Sequence, residues 1–221
     1  MQQLEFSISH PSLRVNDAFR DFKVRIEQNS IQYPDIPKPV PAFTQQTTTS
    51  YSRPDKNLYP GNNEFRAFDI RNTTYNGIGV NKIQLEQGTY RVLLHEDKLK
   101  VYSRYVTEKD NNGKYVVGAN FTNHPSTEAD YVDVFFTLLT NVPFIEGKVY
   151  LLGEFTDWNI DNRYEMIFNP RLNQYEATIR LKQGYYNYRY VILTHDGKLE
   201  SKPIEGCFAE TENEYNIYVY Y

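Results

Sequence analysis

Polar and apolar residues alternate at period two along Asp21-Phe22-Lys23-Val24-Arg25-Ile26-Glu27, the mark of a strand with one buried face. Residues 89–94, Lys100-Val101-Tyr102 and residues 114–117 read the same way, the last of them behind an Asn111-Asn112-Gly113 turn. The pattern sharpens further along the chain. Val132, Val134, Phe136 and Leu138 alternate with Asp133, Phe135 and Thr137, and residues 148–152 and 165–168 are short apolar runs. Tyr175, Ala177, Ile179 and Leu181 alternate with Glu176, Thr178 and Arg180. In the next run Tyr186, Tyr188, Tyr190 and Ile192 share one face, while Tyr185, Asn187, Arg189 and Val191 share the other. Asp196-Gly197 predicts a hairpin turn, and residues 215–221 end the chain on a strand. No helical periodicity competes with these signals, so the expected fold class is all-β.

Residues 33–63 break the pattern. Pro34, Pro37, Pro39, Pro41, Pro54 and Pro60 surround a Gln/Thr/Ser run, which predicts a long Pro-rich loop or arm. Thr122-Asn123-His124-Pro125-Ser126-Thr127 is polar, contains a proline and reads as a linker. The charge balance changes across it, from 16 basic and 13 acidic residues ahead of Glu128 to 8 basic and 15 acidic from Glu128 onward. The expectation is two immunoglobulin-like β-sandwich domains in tandem, at 1–125 and 128–221.

Composition adds limits on function. Twenty Tyr and 13 Phe in 221 residues suit half-buried pleated surfaces and a chain that folds. A net charge of −4 argues against binding nucleic acid through its phosphates. The lone Cys207 rules out an internal disulfide and a multi-cysteine metal site. No apolar run is long enough for a transmembrane helix, and the first residues lack the form of a signal peptide. No cofactor is expected.

Few residues suggest reaction chemistry. His10, His95, His124 and His195 sit in no catalytic motif, and three of them adjoin prolines or a turn. Cys207 reads as a small packed residue. Glu154 and Asp157 are a candidate acid/base pair, but they lie where a strand end runs into a turn. Glu205, Glu210, Glu212 and Glu214 form an acidic run without a calcium-loop motif, and it reads as solvated. Tyr185 and Arg189 on the outer face of their strand are candidates for contact with protein or sugar.

Two resemblances attach to named residues. Residues 149–158, ending Gly153-Glu154-Phe155-Thr156-Asp157-Trp158, together with residues 175–179, 181–191 and Asp196-Gly197, resemble the early-set, glycogen-binding kind of immunoglobulin-like module over about 75 residues. In that family two tryptophans stack on sugar rings beside a lysine. Trp158 matches the first tryptophan, Arg189 stands where the lysine falls, and Leu199 stands where the second tryptophan is expected. The resemblance thus implies Trp158, Tyr185 and Arg189 as binding residues and a glycan, such as an α-glucan, as an alternative partner.

A wider resemblance covers nearly the whole chain. Leu58-Tyr59-Pro60-Gly61-Asn62-Asn63-Glu64-Phe65-Arg66-Ala67-Phe68-Asp69-Ile70-Arg71, the 153–158 stretch, residues 181–188, Ile204-Glu205-Gly206 and Thr211-Glu212-Asn213-Glu214-Tyr215 are similar, in order and spacing, to the plug proteins of the type IX secretion system of Bacteroidetes. Members of that family carry a signal peptide and a preceding immunoglobulin-like domain, so this sequence corresponds to their later part. The resemblance implies a non-enzymatic periplasmic protein. Its partner would be the outer-membrane translocon barrel, which it closes from the periplasmic side when no substrate occupies the pore.

Overall fold

The computed structural model describes residues 1–31 and 38–221, and the protein is all-β. Among the described residues the strands are β1 (Gln2–Gln3), β2 (Phe6–Ser9), β3 (Lys23–Gln28), β4 (Phe43–Gln45), β5 (Thr48–Tyr51), β6 (Leu58–Tyr59), β7 (Arg66–Asp69), β8 (Val80–Glu86) and β9 (Thr89–Leu94). They continue as β10 (Tyr115–Val117), β11 (Tyr131–Leu139), β12 (Gly147–Leu152), β13 (Glu165–Asn169), β14 (Gln174–Lys182), β15 (Gly184–Thr194), β16 (Leu199–Glu200) and β17 (Tyr215–Tyr220). Helical turns of four residues are α1 (Ala18–Asp21), α2 (Pro125–Glu128) and α3 (Lys202–Glu205). The chain divides into a first unit, 1–62 with 207–221, and a second unit, 63–206.

This division differs from the expected cut at 125–128. The polar stretch before Glu128 holds α2 rather than a linker, and the strands on either side of it belong to one sheet: β11 pairs in parallel with β9, Val134 opposite Val92. The terminal strand also lies elsewhere than expected, because β17 pairs antiparallel with β3 of the first unit over six residues. Residues 32–37 of the Pro-rich segment lie outside the described residues. Beyond them the expected loop is broken by β4, β5 and β6, with β4 and β5 forming a hairpin around Gln46-Thr47. Lys100-Val101-Tyr102, expected as a strand, is a single 3-10 turn.

In the first unit, small sheets form from β1 with β6, from β17 with β3, and from β2, β5 and β4 in that order. Phe6 stacks on Tyr51 at 4.6 Å, and Tyr59 is fully buried beside Tyr215. Gly61 passes so close to the Phe208 carbonyl that a Cβ there would sit 1.7 Å from the oxygen.

In the second unit one sheet runs β8-β9-β11-β14-β13-β12-β15. The eleven residues of β15 are long enough to take several neighbours. β7 and β10 pair with its first half, and β12 and β16 with its second. The Asp69 amide of β7 then donates to the Ile78 carbonyl just ahead of β8, so the sheet nearly closes into a barrel. The alternating positions read from the sequence fill its interior. Val132, Val134, Phe136, Leu138, Ile179, Leu181, Tyr186, Tyr188, Tyr190 and Ile192 belong to one buried cluster with Phe68, Val92 and Leu151.

Burial of phenols predicts an alkaline limit. Burial, with Tyr215 nearby, pushes the Tyr59 hydroxyl up to about 12, and burial also raises Tyr186, Tyr188 and Tyr190. An unfolded tyrosine loses its proton near pH ~10. Between that value and the folded one the unfolded chain binds fewer protons, so stability present below pH ~10 is lost as the pH rises. A titration at 295 nm, run beside circular dichroism, is expected to show one class of tyrosines ionising normally and a second ionising only as structure is lost. Ionisation of all 20 in one step with the fold intact would contradict this.

Candidate functional site around Trp158

The outer face of β15 decides what the candidate residues can do. Tyr185, Asn187, Arg189 and Val191 point away from the barrel interior, yet only Tyr185 keeps appreciable exposure. Their cover comes from two stretches distant in sequence, residues 63–65 and 110–114. The Asp110 carboxylate accepts the Phe65 amide at 2.6 Å and the Asn112 amide at 2.7 Å. Burial holds that carboxyl above the usual carboxylate range, against the pull of these two amides. Asn187, fully buried, accepts the Asn111 amide through Oδ1 at 2.5 Å, and its own amide donates to the Lys114 carbonyl.

Trp158 is a packing residue in this assembly. Asp157 and Trp158 both adopt left-handed backbone, φ 51° and 56°, after the 3-10 turn Glu154–Thr156. That turn is tied down by the Glu154 amide on the Gly113 carbonyl, by the Trp158 amide on the Gly153 carbonyl, and by Thr156 Oγ1, which donates to the Gly153 carbonyl. The half-buried indole then meets Phe65 edge-on at 5.9 Å and lies over Gly113. It also packs against a small outer cluster of Tyr150, Leu152 and Val191.

Arg189 sits under the same phenyl ring. Its guanidinium carbon is 3.7 Å from the Phe65 centroid and the residue is only 2% exposed. A sugar-contacting cation must reach solvent, so Arg189 is corrected from a binding residue to a buried cation-π support. Tyr185 lies apart from this pair. It is opposite Asp69 and Val116, and the Arg71 guanidinium sits 6.0 Å over its ring while ion-paired to Asp69. The structure thus brings Trp158 and Arg189 together through Phe65 and does not bring Tyr185 to them. Leu199 packs against the outer cluster.

The other candidates are spread out. Glu154 Oε2 accepts the Tyr115 amide at 2.9 Å, a structural use of one member of the proposed acid/base pair, and Asp157 is exposed. His95, His124 and His195 are exposed, whereas His10 is buried, with Nε2 3.2 Å from Thr49 Oγ1. Cys207 is partly buried. Among the described residues no group of three His, Cys, Asp or Glu side chains is placed to hold a metal, and no helix is long and apolar enough to cross a membrane.

The strongest electrostatic feature was missed in the sequence. Arg66 on β7, with its side chain 7% exposed, donates to Asp97 Oδ1 at 2.7 Å, to both oxygens of Glu205 at 3.1 Å and to the Lys98 carbonyl at 2.8 Å. Tyr188 and Tyr190 each donate a hydroxyl to Asp97 Oδ2 at 2.7 Å, and the Tyr190 amide donates to Glu205. Although burial opposes the charge, the two carboxylates hold the guanidinium well above its ordinary pKa. Glu205 therefore leaves the solvated acidic run: it is a buried ion-pair member on α3, while Glu210, Glu212 and Glu214 belong to the first unit. The one available signal was the Arg66 and Glu205 pair inside two of the blocks that carry the wider resemblance.

Comparison with known proteins gives a fold and no activity. No protein-family model matches the chain, and no curated protein matches it. The chain is similar to a hypothetical protein from Parabacteroides merdae ATCC 43184, known from a crystal structure at 2.30 Å, with 31% identity and a TM-score of 0.88. The likeness covers 99% of this chain and 55% of that one, so the chain spans about half of its neighbour's length.

Proposed function

We propose that the chain is a non-enzymatic occluding module, part of a periplasmic plug that closes a type IX secretion translocon barrel through protein contacts. The observation that carries this reading is the use to which the resembling residues are put. Phe65 and Trp158 pack on each other, and Arg66 and Glu205 pair in the buried network. They serve as architecture, as expected of a rigid body that blocks by shape rather than by reacting. The structural neighbour also comes from a Bacteroidetes organism, in keeping with the system named. We read β11 to β15 of the second unit as an early-set immunoglobulin-like sandwich elaborated by β7 to β10. Glycan binding at Trp158 is the weaker reading, since the cation it requires is buried.

Deleting the gene for the parent protein is expected to make the outer membrane permeable to large antibiotics, with complementation restoring the barrier. The measurement is uptake in a strain whose translocon is held open. Unchanged uptake there would sink the proposal.

A further inference from the structure

We propose that a groove on the first unit receives an extended segment of a partner polypeptide, one carrying an apolar anchor side chain together with acidic residues. This stands apart from pore closure and uses none of the residues discussed above for it. A cleft of about 280 Å³ is lined by Phe19, Phe22, Pro39 and Tyr51, with Lys23 and Lys38 on its border. A second cleft, about 340 Å³, shares Ala18, Phe19 and Pro41 with it and continues to Phe43 and Thr44. Two clefts that adjoin through shared lining residues suit an extended chain better than one compact small molecule.

Three features fix the chemistry of the occupant. First, Phe19 and Phe43 are 66% and 54% exposed, and Phe19 is held outward by a fixed turn. Asp17 Oδ1 accepts the Phe19 amide at 3.0 Å, and Asp21 Oδ2 accepts the Asn16 and Asp17 amides at 2.8 and 3.1 Å. Rigid exposed aromatics beside a cleft are the anchors from which interfaces draw most of their energy. Second, charge is uneven along the groove. Lys23 and Lys38 are both exposed and form no ion pair with another described residue, whereas Asp17 at the opposite end is engaged by Arg20 and by the helix it caps. Acidic residues of the partner therefore belong at the lysine end. Third, β4, which carries Phe43, is the end strand of its sheet and pairs only with β5 among the described residues. An extended partner suits such an edge.

The test pans phage-displayed random peptides of about eight residues against the 221-residue chain and measures the winners by fluorescence anisotropy. Enriched sequences are expected to combine an aromatic or large aliphatic residue with Asp or Glu, and to bind more weakly as salt rises. Phe19→Ser, at an exposed position, is expected to weaken binding at least about tenfold with the circular dichroism spectrum unchanged. Lys23→Glu with Lys38→Glu is expected to abolish the acidic preference. The proposal is overturned by absence of enrichment, by winners that bind Phe19→Ser as well as the parent, or by sedimentation showing a dimer that Phe19→Ser dissociates, which would make a second copy the occupant.

Discussion

Replacing Arg66 by methionine is expected to lower the stability of the protein by about 3–5 kcal/mol, the range for removing one partner of a buried ion pair. The side chain's methylenes are largely conserved in size by the substitution, so the loss is electrostatic. Without the guanidinium, the partly exposed Asp97 and the buried Glu205 face each other's charge beside the Tyr188 and Tyr190 hydroxyls. The Tyr190 ring, 5.1 Å from the guanidinium, also loses its cation-π contact. Urea denaturation monitored by circular dichroism gives the number. A second variant separates cause from packing: Arg66→Met combined with Asp97→Asn and Glu205→Gln removes the stranded charges and is expected to recover part of the loss, a non-additivity proper to one network. A drop below about 1 kcal/mol for Arg66→Met would mean that water reaches the carboxylates.

The consequence for the fold is specific. Arg66 stands at the start of β7, Asp97 just past β9 and Glu205 on α3, so one guanidinium fixes the closing strand of the barrel against two crossings of the chain. Apolar contacts fill the interior without specifying which strand follows β15. The paired charges add a directional constraint, because the fork of Arg66 lies between both carboxylates in the observed register.

Legibility in the sequence followed the range of the interactions. Wherever a strand buries one face, alternation gave the right face: Val132 to Leu138, Tyr175 to Leu181 and Tyr186 to Ile192 are all in the core. Strands such as β1, β4 and β6 have two or three residues, too few for a period. β8 was overlooked although Gln87-Gly88, at φ 48° and 82°, is the kind of two-residue turn that marks a hairpin. The domain cut failed for a different reason. A polar, proline-containing stretch before Glu128 is locally indistinguishable from a linker, and only the parallel pairing of Val92 with Val134 shows that the chain stays in one sheet. Likewise, nothing local in residues 215–220 indicates that their partner is β3, almost two hundred residues earlier. Arg189 was placed on the correct face but taken as exposed, because its cover, Phe65, comes from a segment without strand pattern.

The same cover supplies the second large effect, at Gly113. Replacing Gly113 by alanine is expected to cost about 2–5 kcal/mol, combining a left-handed backbone penalty with overpacking. The backbone there has φ 83°, which glycine accepts freely and alanine does not. A Cβ would also fall 2.2 Å from Trp158 Cη2 and 2.7 Å from the Phe65 ring. Neither ring can yield cheaply. Phe65 is 2% exposed and lies against the Arg189 guanidinium, while Trp158 is held by its own turn. Trp158 is the sole tryptophan, so its fluorescence reports this site directly. Gly113→Ala is expected to red-shift the emission as the indole is displaced toward water, with a lowered denaturation midpoint. Gly88→Ala is the control: it has a similar φ of 82° but nothing within 4 Å of its Cβ position, so it carries the backbone penalty alone. If both variants lose the same stability and the emission of Gly113→Ala is unmoved, the indole is not seated on Gly113. The assignment of Trp158 as architecture would then be withdrawn, and its ring face would again be free for a ligand.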